Sequence, residues 1–269
     1  MREIQSTPDK QHESWESVAA RWIASHPQET WRRHSDRVNN ALLGRWLDTR
    51  HGGRLLKTDL FDEAFGDGLL ESLAHHSDHV VGIDVARDTA RLACSSHSRV
   101  HGIQGDVRRL PFADDTFETV VSISTLDHFG RATDIVESLR ECRRVLHPGG
   151  TLLLTLDNPW NPIVSLRSRL PYRWMHKLGL LPYPVGVTLS PGRLQRRLED
   201  SGFEVQETDA ILHVPRALAV LAAQIIDRRS AAGSAERLLE WMARWERLGR
   251  WPTRFLSGYY SAARAIKVV

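Results

Sequence analysis

The order of hydrophobic and polar residues predicts two amphipathic helices, followed by strands that alternate with helices. Apolar residues recur at helical spacing over residues 15–23 and again over 38–47. From Leu55 onward, short apolar runs alternate with helical stretches, and the runs are LLKTDLF, HVVGIDV, RVHGIQGD, TVVSIST and TLLLTLD. This alternation is typical of parallel β-α-β units. We therefore predict an α/β fold with a doubly wound, mostly parallel sheet and helices on both faces.

The loops after the strands are the places to look for a ligand site, because sheets of this kind bind ligands at the carboxyl ends of their strands. Strand one is predicted to deliver Asp62, and the chain then passes through Gly66 and Gly68 into a helix. Glu71 stands where a dinucleotide-binding loop has its third glycine. An acidic loop disfavours a diphosphate and fits a cationic or zwitterionic ligand. The alternative is a plain tight turn.

Two further acids follow the next two strands. Strand two ends in Asp84, 22 residues after Asp62 (84 − 62). A carboxylate at that place can accept hydrogen bonds from both hydroxyls of a ribose. Asp106 follows strand three, and together with the backbone amide of Val107 it can recognise an adenine. Three acids at three successive strand ends predict an adenosine site.

Two longer stretches, GDVRRLPFADDTFETVVSISTLDHF and RECRRVLHPGGTLLLTLDN, closely resemble class I S-adenosylmethionine-dependent methyltransferases. The resemblance is strongest to the group that methylates small molecules, quinones and lipids. It runs from about residue 55 to 157 and returns in SPGRLQRRLEDSGFEV, and it implies a seven-stranded Rossmann-like sheet and S-adenosyl-L-methionine as cofactor. By this resemblance the cofactor-binding residues are Asp62, Gly66, Gly68, Asp84, Asp106, Val107 and Ser124. Ala64 departs from the family, since it stands at the place of the first glycine.

The end of strand four carries the candidate catalytic residues. Methyl transfer is an in-line displacement at the sulfonium methyl, and a base is needed only when the acceptor must lose a proton. His128, oriented by Asp127, is the candidate general base, because imidazole titrates near neutrality. The alternative is a histidine that only shapes the pocket.

The resemblance also divides the chain into parts. We expect an N-terminal helical extension over residues 1–50 and a methyltransferase domain over 51–269. Insertions are expected at about 158–190, as a lid over an apolar or aromatic acceptor, and at about 215–250, as helices between the last two strands. The expected lid mixes aromatic and basic residues, namely Trp160, Tyr172, Trp174, Tyr183, Arg167, Arg169, Arg173 and Lys177. Within the second insertion PRALAVLAAQII is expected to be buried in the monomer; a dimer face or a membrane surface are the alternatives.

Two charged residues, Lys57 and Asp59, share one face of the buried first strand. Unpaired buried charges are unfavourable, so we expect the two side chains to pair with each other. The alternative is that they anchor the N-terminal helices or a group of the substrate.

Charge and composition exclude few functions. The net charge of +3 permits anionic partners without requiring them. The two cysteines, Cys94 and Cys142, suggest neither disulfides nor a structural zinc site, and no metal is predicted. No run approaches the ~20 apolar residues of a membrane helix, and the first dozen residues lack a signal sequence, so a cytoplasmic protein is expected.

The leading hypothesis is a methyltransferase acting on a small or lipid-like, aromatic organic acceptor. Asn158-Pro159 follows strand five rather than strand four, so methylation of nucleic acid bases is disfavoured. Two alternatives stay open: a non-catalytic cofactor-binding module that contacts a protein partner, and an RNA methyltransferase.

Overall fold

A computed structural model of the protein describes residues 15–20, 22, 28–47, 53–96, 100–170, 186–229 and 233–268. These residues form a seven-stranded sheet with helices on both faces, which confirms the predicted α/β fold. The strands are β1 (Arg54–Lys57), β2 (His79–Asp84), β3 (Val100–Gln104), β4 (Phe117–Ile123), β5 (Leu146–Asp157), β6 (Phe203–Ile211) and β7 (Tyr260–Lys267).

The strand order is β3-β2-β1-β4-β5-β7-β6. β7 runs antiparallel to both of its neighbours, β5 and β6, and the other neighbouring strands are parallel. From β1 the chain winds outward to β2 and β3, and it then returns to the other side of β1 for β4 and β5. The loops after β1 and β4 therefore separate and leave a crevice at the carboxyl edge of the sheet.

The helices fill the connections between the strands. They are α1 (Glu29–Trp46), α2 (Phe61–Phe65), α3 (Leu70–Ala74), α4 (Arg87–Ser96), α5 (Ala132–Val145), α6 (Pro162–Arg169), α7 (Pro191–Asp200), α8 (Arg216–Arg229), α9 (Ser234–Trp245) and α10 (Arg254–Ser257). Residues 15–20 and 22 are also helical. Two short 3-10 turns cover Leu126–His128 and Glu246–Arg250. No described helix combines the length and the apolar character needed to cross a bilayer.

The two faces of the sheet bury two separate apolar clusters, because side chains alternate along each strand. Leu55 belongs to one cluster and the next residue, Leu56, to the other. Leu56 pairs in register with Val81 of β2 and Val120 of β4. Burying one such side chain contributes about 2 kcal/mol, so the alternation fixes the register of the central strands.

A third cluster joins α1 to α8 and α9. It includes Trp31, Ala219, Ala223 and Met242. Thr30 Oγ1 donates a 2.5 Å hydrogen bond to Asp227 at the end of α8. The helix before the sheet and the helices between β6 and β7 thus pack on each other.

The first strand is shorter than predicted. β1 ends at Lys57 and not at Phe61, the end of the predicted run, and Asp62 lies in α2. The amide of Thr58 still bonds to the carbonyl of Val121 in β4, at 3.0 Å. The amide of Leu60 turns away to the Asp84 carboxylate, at 3.0 Å. Leu60 therefore bonds to a side chain instead of to a neighbouring strand.

The expected burial of PRALAVLAAQII is wrong for its larger residues. Leu218, Leu221 and Ile225 on α8 are 63%, 55% and 43% exposed, whereas the small Ala219 and Ala223 are fully buried. Alanines allow α1 and α9 to approach α8 closely, so the large side chains point outward.

Candidate functional site

Asp84 holds its predicted place at the end of β2. One carboxylate oxygen accepts the amide of Leu60 at 3.0 Å and the other accepts the amide of Ala86 at 2.8 Å. The residue is 9% exposed. Burial raises the pKa of Asp84 to about 7, although the two amide hydrogen bonds lower it part of the way. The carboxylate is thus oriented by two backbone groups at the crevice between the strand ends.

The loop that carries Asp62, Gly66 and Gly68 is closed by side chains of the protein itself. A Cβ atom on Gly66 would lie 2.5 Å from Nη2 of Arg32, which reaches over from α1. At Gly68, with φ +59°, a Cβ would lie 2.7 Å from Oε1 of Glu63. The main-chain oxygen of Asp62 accepts a 3.0 Å hydrogen bond from Arg32. The two glycines therefore make room for Arg32 and Glu63.

Lys57 and Asp59 form the predicted pair, with 3.2 Å between Nζ and Oδ1. A third residue, Glu63, joins them, with 2.9 Å between its Oε2 and the same Nζ. The Lys57 ammonium also donates to the main-chain oxygen of Asp59 at 2.8 Å. Burial alone would lower the pKa of Lys57, but the Asp59 and Glu63 carboxylates outweigh it and raise that pKa above its ordinary value.

Arg32 and Asp36 extend this charged group from α1. The Arg32 guanidinium lies 5.9 Å from the centroids of both the Trp22 and the Phe65 ring. Burial and the Asp62 carboxylate raise the pKa of Asp36 to about 8, while Arg32 opposes the shift. Burial also raises the pKa of Asp62, against the effect of Lys57. The buried group therefore contains more carboxyls than cations.

Asp106 lies two residues beyond β3 and is held by its neighbour Arg108. Nε of Arg108 lies 3.0 Å from both carboxylate oxygens, and the Arg108 amide donates to Oδ1 at 2.8 Å. The Arg108 guanidinium also stacks on the ring of Phe129, 5.0 Å from its centroid. Val107 is 6% exposed and belongs to the core. The Asp106 carboxylate, which was predicted to bind adenine, is thus held in place by Arg108.

The loop after β4 holds Ser124, Asp127 and His128. Ser124 has φ +50°, and its hydroxyl donates to Asp127 Oδ2 at 3.2 Å. Asp127 is buried and also accepts the amide of Asp157 at 2.8 Å. Nε2 of His128 lies 3.9 Å from Asp127 Oδ1. Burial and the nearby Asp157 raise the pKa of Asp127 to about 6.

The helical segment near the N-terminus lies over this edge of the sheet. The ring of Trp15 packs edge-on against His128, with 4.9 Å between centroids. Glu16 accepts the amide of Arg87, just beyond β2, at 2.6 Å. Trp22 packs against Phe61 of α2 with 4.9 Å between centroids. One segment thus touches the loops after β1, β2 and β4.

A link between β1 and β4 has no signal in the sequence. Thr125 Oγ1 donates to Asp59 Oδ2 at 2.9 Å, and Thr58 Oγ1 lies 3.3 Å from Thr125 Oγ1. The sequence pattern predicted that Asp59 lies on the same face as Lys57. It could not predict the contact with Thr125, because 66 residues separate the two.

The chain after β5 is hydrogen-bonded to the segment that precedes β7. The side-chain amide of Asn158 donates to the main-chain oxygens of Phe255 at 2.6 Å and Gly258 at 2.9 Å. Asn158 therefore anchors a turn. Arg167 of α6 is buried and binds the Asp157 carboxylate and the Tyr259 hydroxyl. The predicted lid residues Tyr172, Arg173, Trp174, Lys177 and Tyr183 lie outside the described part of the chain.

Comparisons with known proteins agree with this architecture. Residues 62–154 match a family model described as a methyltransferase domain. A Mycolicibacterium smegmatis protein described as a probable S-adenosylmethionine-dependent methyltransferase is 28% identical over 151 residues, which cover 56% of this chain and 52% of that protein. The chain therefore spans about half the length of that relative.

A second relative is matched over more of its length. A ubiquinone biosynthesis O-methyltransferase of Pseudomonas paraeruginosa is 26% identical over 215 residues, covering 75% of this chain and 85% of that protein. Among solved structures, a complex of the Haloferax volcanii Trm112 methyltransferase activator with a methyltransferase gives a TM-score of 0.62 at 17% identity, covering 92% of this chain and 96% of that one. The sheet and the sequence matches are thus similar to those of S-adenosylmethionine-dependent methyltransferases, and residues 62–154 match their methyltransferase domain.

Proposed function

We propose that the protein transfers a methyl group from S-adenosylmethionine to a hydroxyl of a small aromatic or lipid-like acceptor. The observation that carries this proposal is the orientation of Asp84 at the crevice beside β1. Each carboxylate oxygen accepts one amide hydrogen bond from the described residues, so lone pairs remain for the two hydroxyls of a ribose. The nucleoside end of the cofactor therefore fits the residues present.

The methionine end does not fit the predicted glycine loop. Arg32 and Glu63 occupy the space beside Gly66 and Gly68, and the amide of Leu69 at the start of α3 is used by Glu63, at 3.0 Å. The space beside both glycines and the Leu69 amide are thus taken up by side chains of the protein itself. We therefore assign no cofactor contact to Gly66 or Gly68.

The bound cofactor would supply an electrophilic methyl group. Asp84 would hold the ribose, and His128 would accept the hydroxyl proton of the acceptor at Nε2 or Nδ1. Asp127 lies beside the ring of His128, and it would stabilise the imidazolium that forms. Trp15 covers the same ring and would keep water from it.

The choice of acceptor is supported by the relatives and by α8. The Pseudomonas paraeruginosa relative is named for O-methylation in ubiquinone biosynthesis. Exposed Leu218, Leu221 and Ile225 give α8 an apolar outer face next to Arg228 and Arg229. The one acid of this helix, Asp227, faces inward to Thr30. An apolar and cationic face suits contact with an anionic membrane that carries a lipid-like acceptor.

Calorimetric titration with S-adenosylhomocysteine tests the cofactor part of the proposal. We expect binding by the parent, an affinity loss of about 10-fold or more in Asp84→Asn, and an unchanged affinity in Asp78→Asn, an exposed carboxylate before β2. Absence of binding, or equal affinity of the parent and Asp84→Asn, would contradict the proposal. Transfer of labelled methyl groups to a panel of hydroxylated aromatic compounds and lipids then tests the acceptor class.

A second function is favoured by the filled glycine loop. A chain whose loop is closed by Arg32 can serve as a non-catalytic module that binds a nucleoside or a protein partner. Methyl transfer distinguishes the two functions. The module would transfer no methyl group to any acceptor in the panel, whether or not it binds S-adenosylhomocysteine. Nucleic acid methylation is not proposed, because the side-chain amide of Asn158 is bound to two backbone oxygens.

A further inference from the structure

Asp59 is the member of the buried charged group that reaches toward the crevice. Its side chain is 19% exposed, whereas those of Lys57 and Glu63 are fully buried. One oxygen lies 3.2 Å from Lys57 Nζ and the other accepts the hydroxyl of Thr125 at 2.9 Å. The carboxylate is thus held at the junction of β1 and β4 with part of its surface open.

The neighbours of Asp59 are the two places that the proposed reaction uses. The next peptide amide, that of Leu60, donates to Asp84 at 3.0 Å, so Asp59 lies beside the proposed ribose acid. Thr125 opens the loop that carries Asp127 and His128. In S-adenosylmethionine the sulfur is bonded to the 5′ carbon of the ribose. If Asp84 held the ribose and the methyl group on sulfur were directed at His128, the sulfonium would lie near Asp59.

The charge balance of the group favours a cationic ligand. Four carboxyls, those of Asp36, Asp59, Asp62 and Glu63, face two cations, Arg32 and Lys57. Lys57 has two carboxylate partners within 3.2 Å, so Asp59 is not needed to neutralise it once Glu63 is paired. Because burial raises the pKa of Asp36, Asp62 and Glu63, ionisation of all four carboxyls is unfavourable without a further cation. A cation beside Asp59 would favour the ionised forms.

We infer that Asp59, rather than Asp62, faces the cationic end of the cofactor, and that its carboxylate makes the site bind S-adenosylmethionine more tightly than S-adenosylhomocysteine. The inference rests on the proposed function and deepens it. The two compounds differ by a methyl group and a positive charge at sulfur. Methyl transfer turns the sulfonium into a neutral thioether, so the same carboxylate that favours the substrate cofactor lets the product leave.

Calorimetric titration of the full chain with both compounds and with sinefungin, which carries an amine near the place of the sulfonium, tests this inference. We expect the parent to bind S-adenosylmethionine and sinefungin about tenfold or more tightly than S-adenosylhomocysteine at low salt. The preference should fall toward one in Asp59→Asn, while affinity for S-adenosylhomocysteine stays within about threefold. Asp59→Glu should keep the preference, and so should Asp67→Asn, a control carboxylate exposed in the same loop.

The outcomes separate the inference from the proposed function. Binding of all three compounds with equal affinity, or a preference that persists in Asp59→Asn, would overturn the inference and leave the proposed function standing. Binding of none would overturn both. If Asp59→Asn does not fold, as judged by circular dichroism, the parent and Asp59→Glu decide the matter: equal affinity for S-adenosylmethionine and S-adenosylhomocysteine in either of them refutes the inference.

Discussion

Lys57 and Glu63 form an ion pair with both side chains fully buried and 2.9 Å between Nζ and Oε2. The pair spans the turn that follows β1, six residues apart in sequence (63 − 57). It joins the last residue of β1 to α2, at a place where the family resemblance implied a glycine turn. Asp59 lies beside this pair, with 3.2 Å between its Oδ1 and Lys57 Nζ.

Removing one partner of this pair should be strongly destabilising. Lys57→Met would leave the Asp59 and Glu63 carboxylates buried without a cation, so we expect a loss of about 3–5 kcal/mol in the free energy of unfolding. Urea denaturation measures it. The double variant Lys57→Met/Glu63→Gln should lose less than the sum of the single variants, because it removes the uncompensated charge. Equal stability of Lys57→Met and the parent would show that the pair is not a structural element.

Gly68 should tolerate alanine less well than Gly233 does. Both glycines have positive φ, +59° and +77°, so an alanine at either meets backbone strain of about 1–2 kcal/mol. Only at Gly68 would the new Cβ also meet Glu63, at 2.7 Å, whereas nothing lies within 4 Å at Gly233. We expect Gly68→Ala to lower the unfolding free energy by about 1 kcal/mol or more beyond Gly233→Ala. Similar losses in the two variants would mean that Glu63 does not fill the loop.

The stability of the cofactor-free protein should depend on Asp84 and on pH. Folding raises the pKa of Asp84 to about 7, so between about pH 4 and that value the folded chain holds a proton that the unfolded chain has released. The contribution of Asp84 to the free energy of unfolding is therefore most favourable at low pH, and it is lost as the pH rises to about 7.

Asp84→Asn should remove this dependence. Its unfolding free energy relative to the parent should rise between about pH 4 and about pH 8, by at most about 4 kcal/mol. Urea denaturation at a series of pH values measures the difference, with Asp78→Asn as the control. A difference that stays constant across the series would contradict the pKa shift.

His128→Ala should slow methyl transfer without weakening cofactor binding. If His128 accepts the proton of the acceptor, its loss should lower the single-turnover rate constant by about 100-fold or more. The affinity for S-adenosylhomocysteine should stay within about threefold, and His101→Ala, an exposed histidine on β3, should change neither quantity. An unchanged rate constant would leave His128 as a pocket wall.

Local patterns in the sequence were sufficient to predict the sheet and the position of one candidate site residue, Asp84. Apolar runs alternating with helical stretches predict parallel β-α-β units, because each buried strand needs a covering helix. Asp84 could be placed because β2 is a regular strand whose last residue must lie at the carboxyl edge. The methyltransferase resemblance was carried by LPF, TLDHF and HPGG, which are likewise local motifs.

The tertiary structure alone decided which residues contact Asp59 and what fills the glycine loop. Arg32 is 34 residues from Gly66 (66 − 32), and Thr125 is 66 residues from Asp59, so no local pattern could pair them. The outward face of α8 was also decided there, since only the packing of α1 and α9 shows that the alanines are buried. Local spacing determines which residues share a strand or a helix face, whereas contacts between distant segments determine where buried charges find their partners.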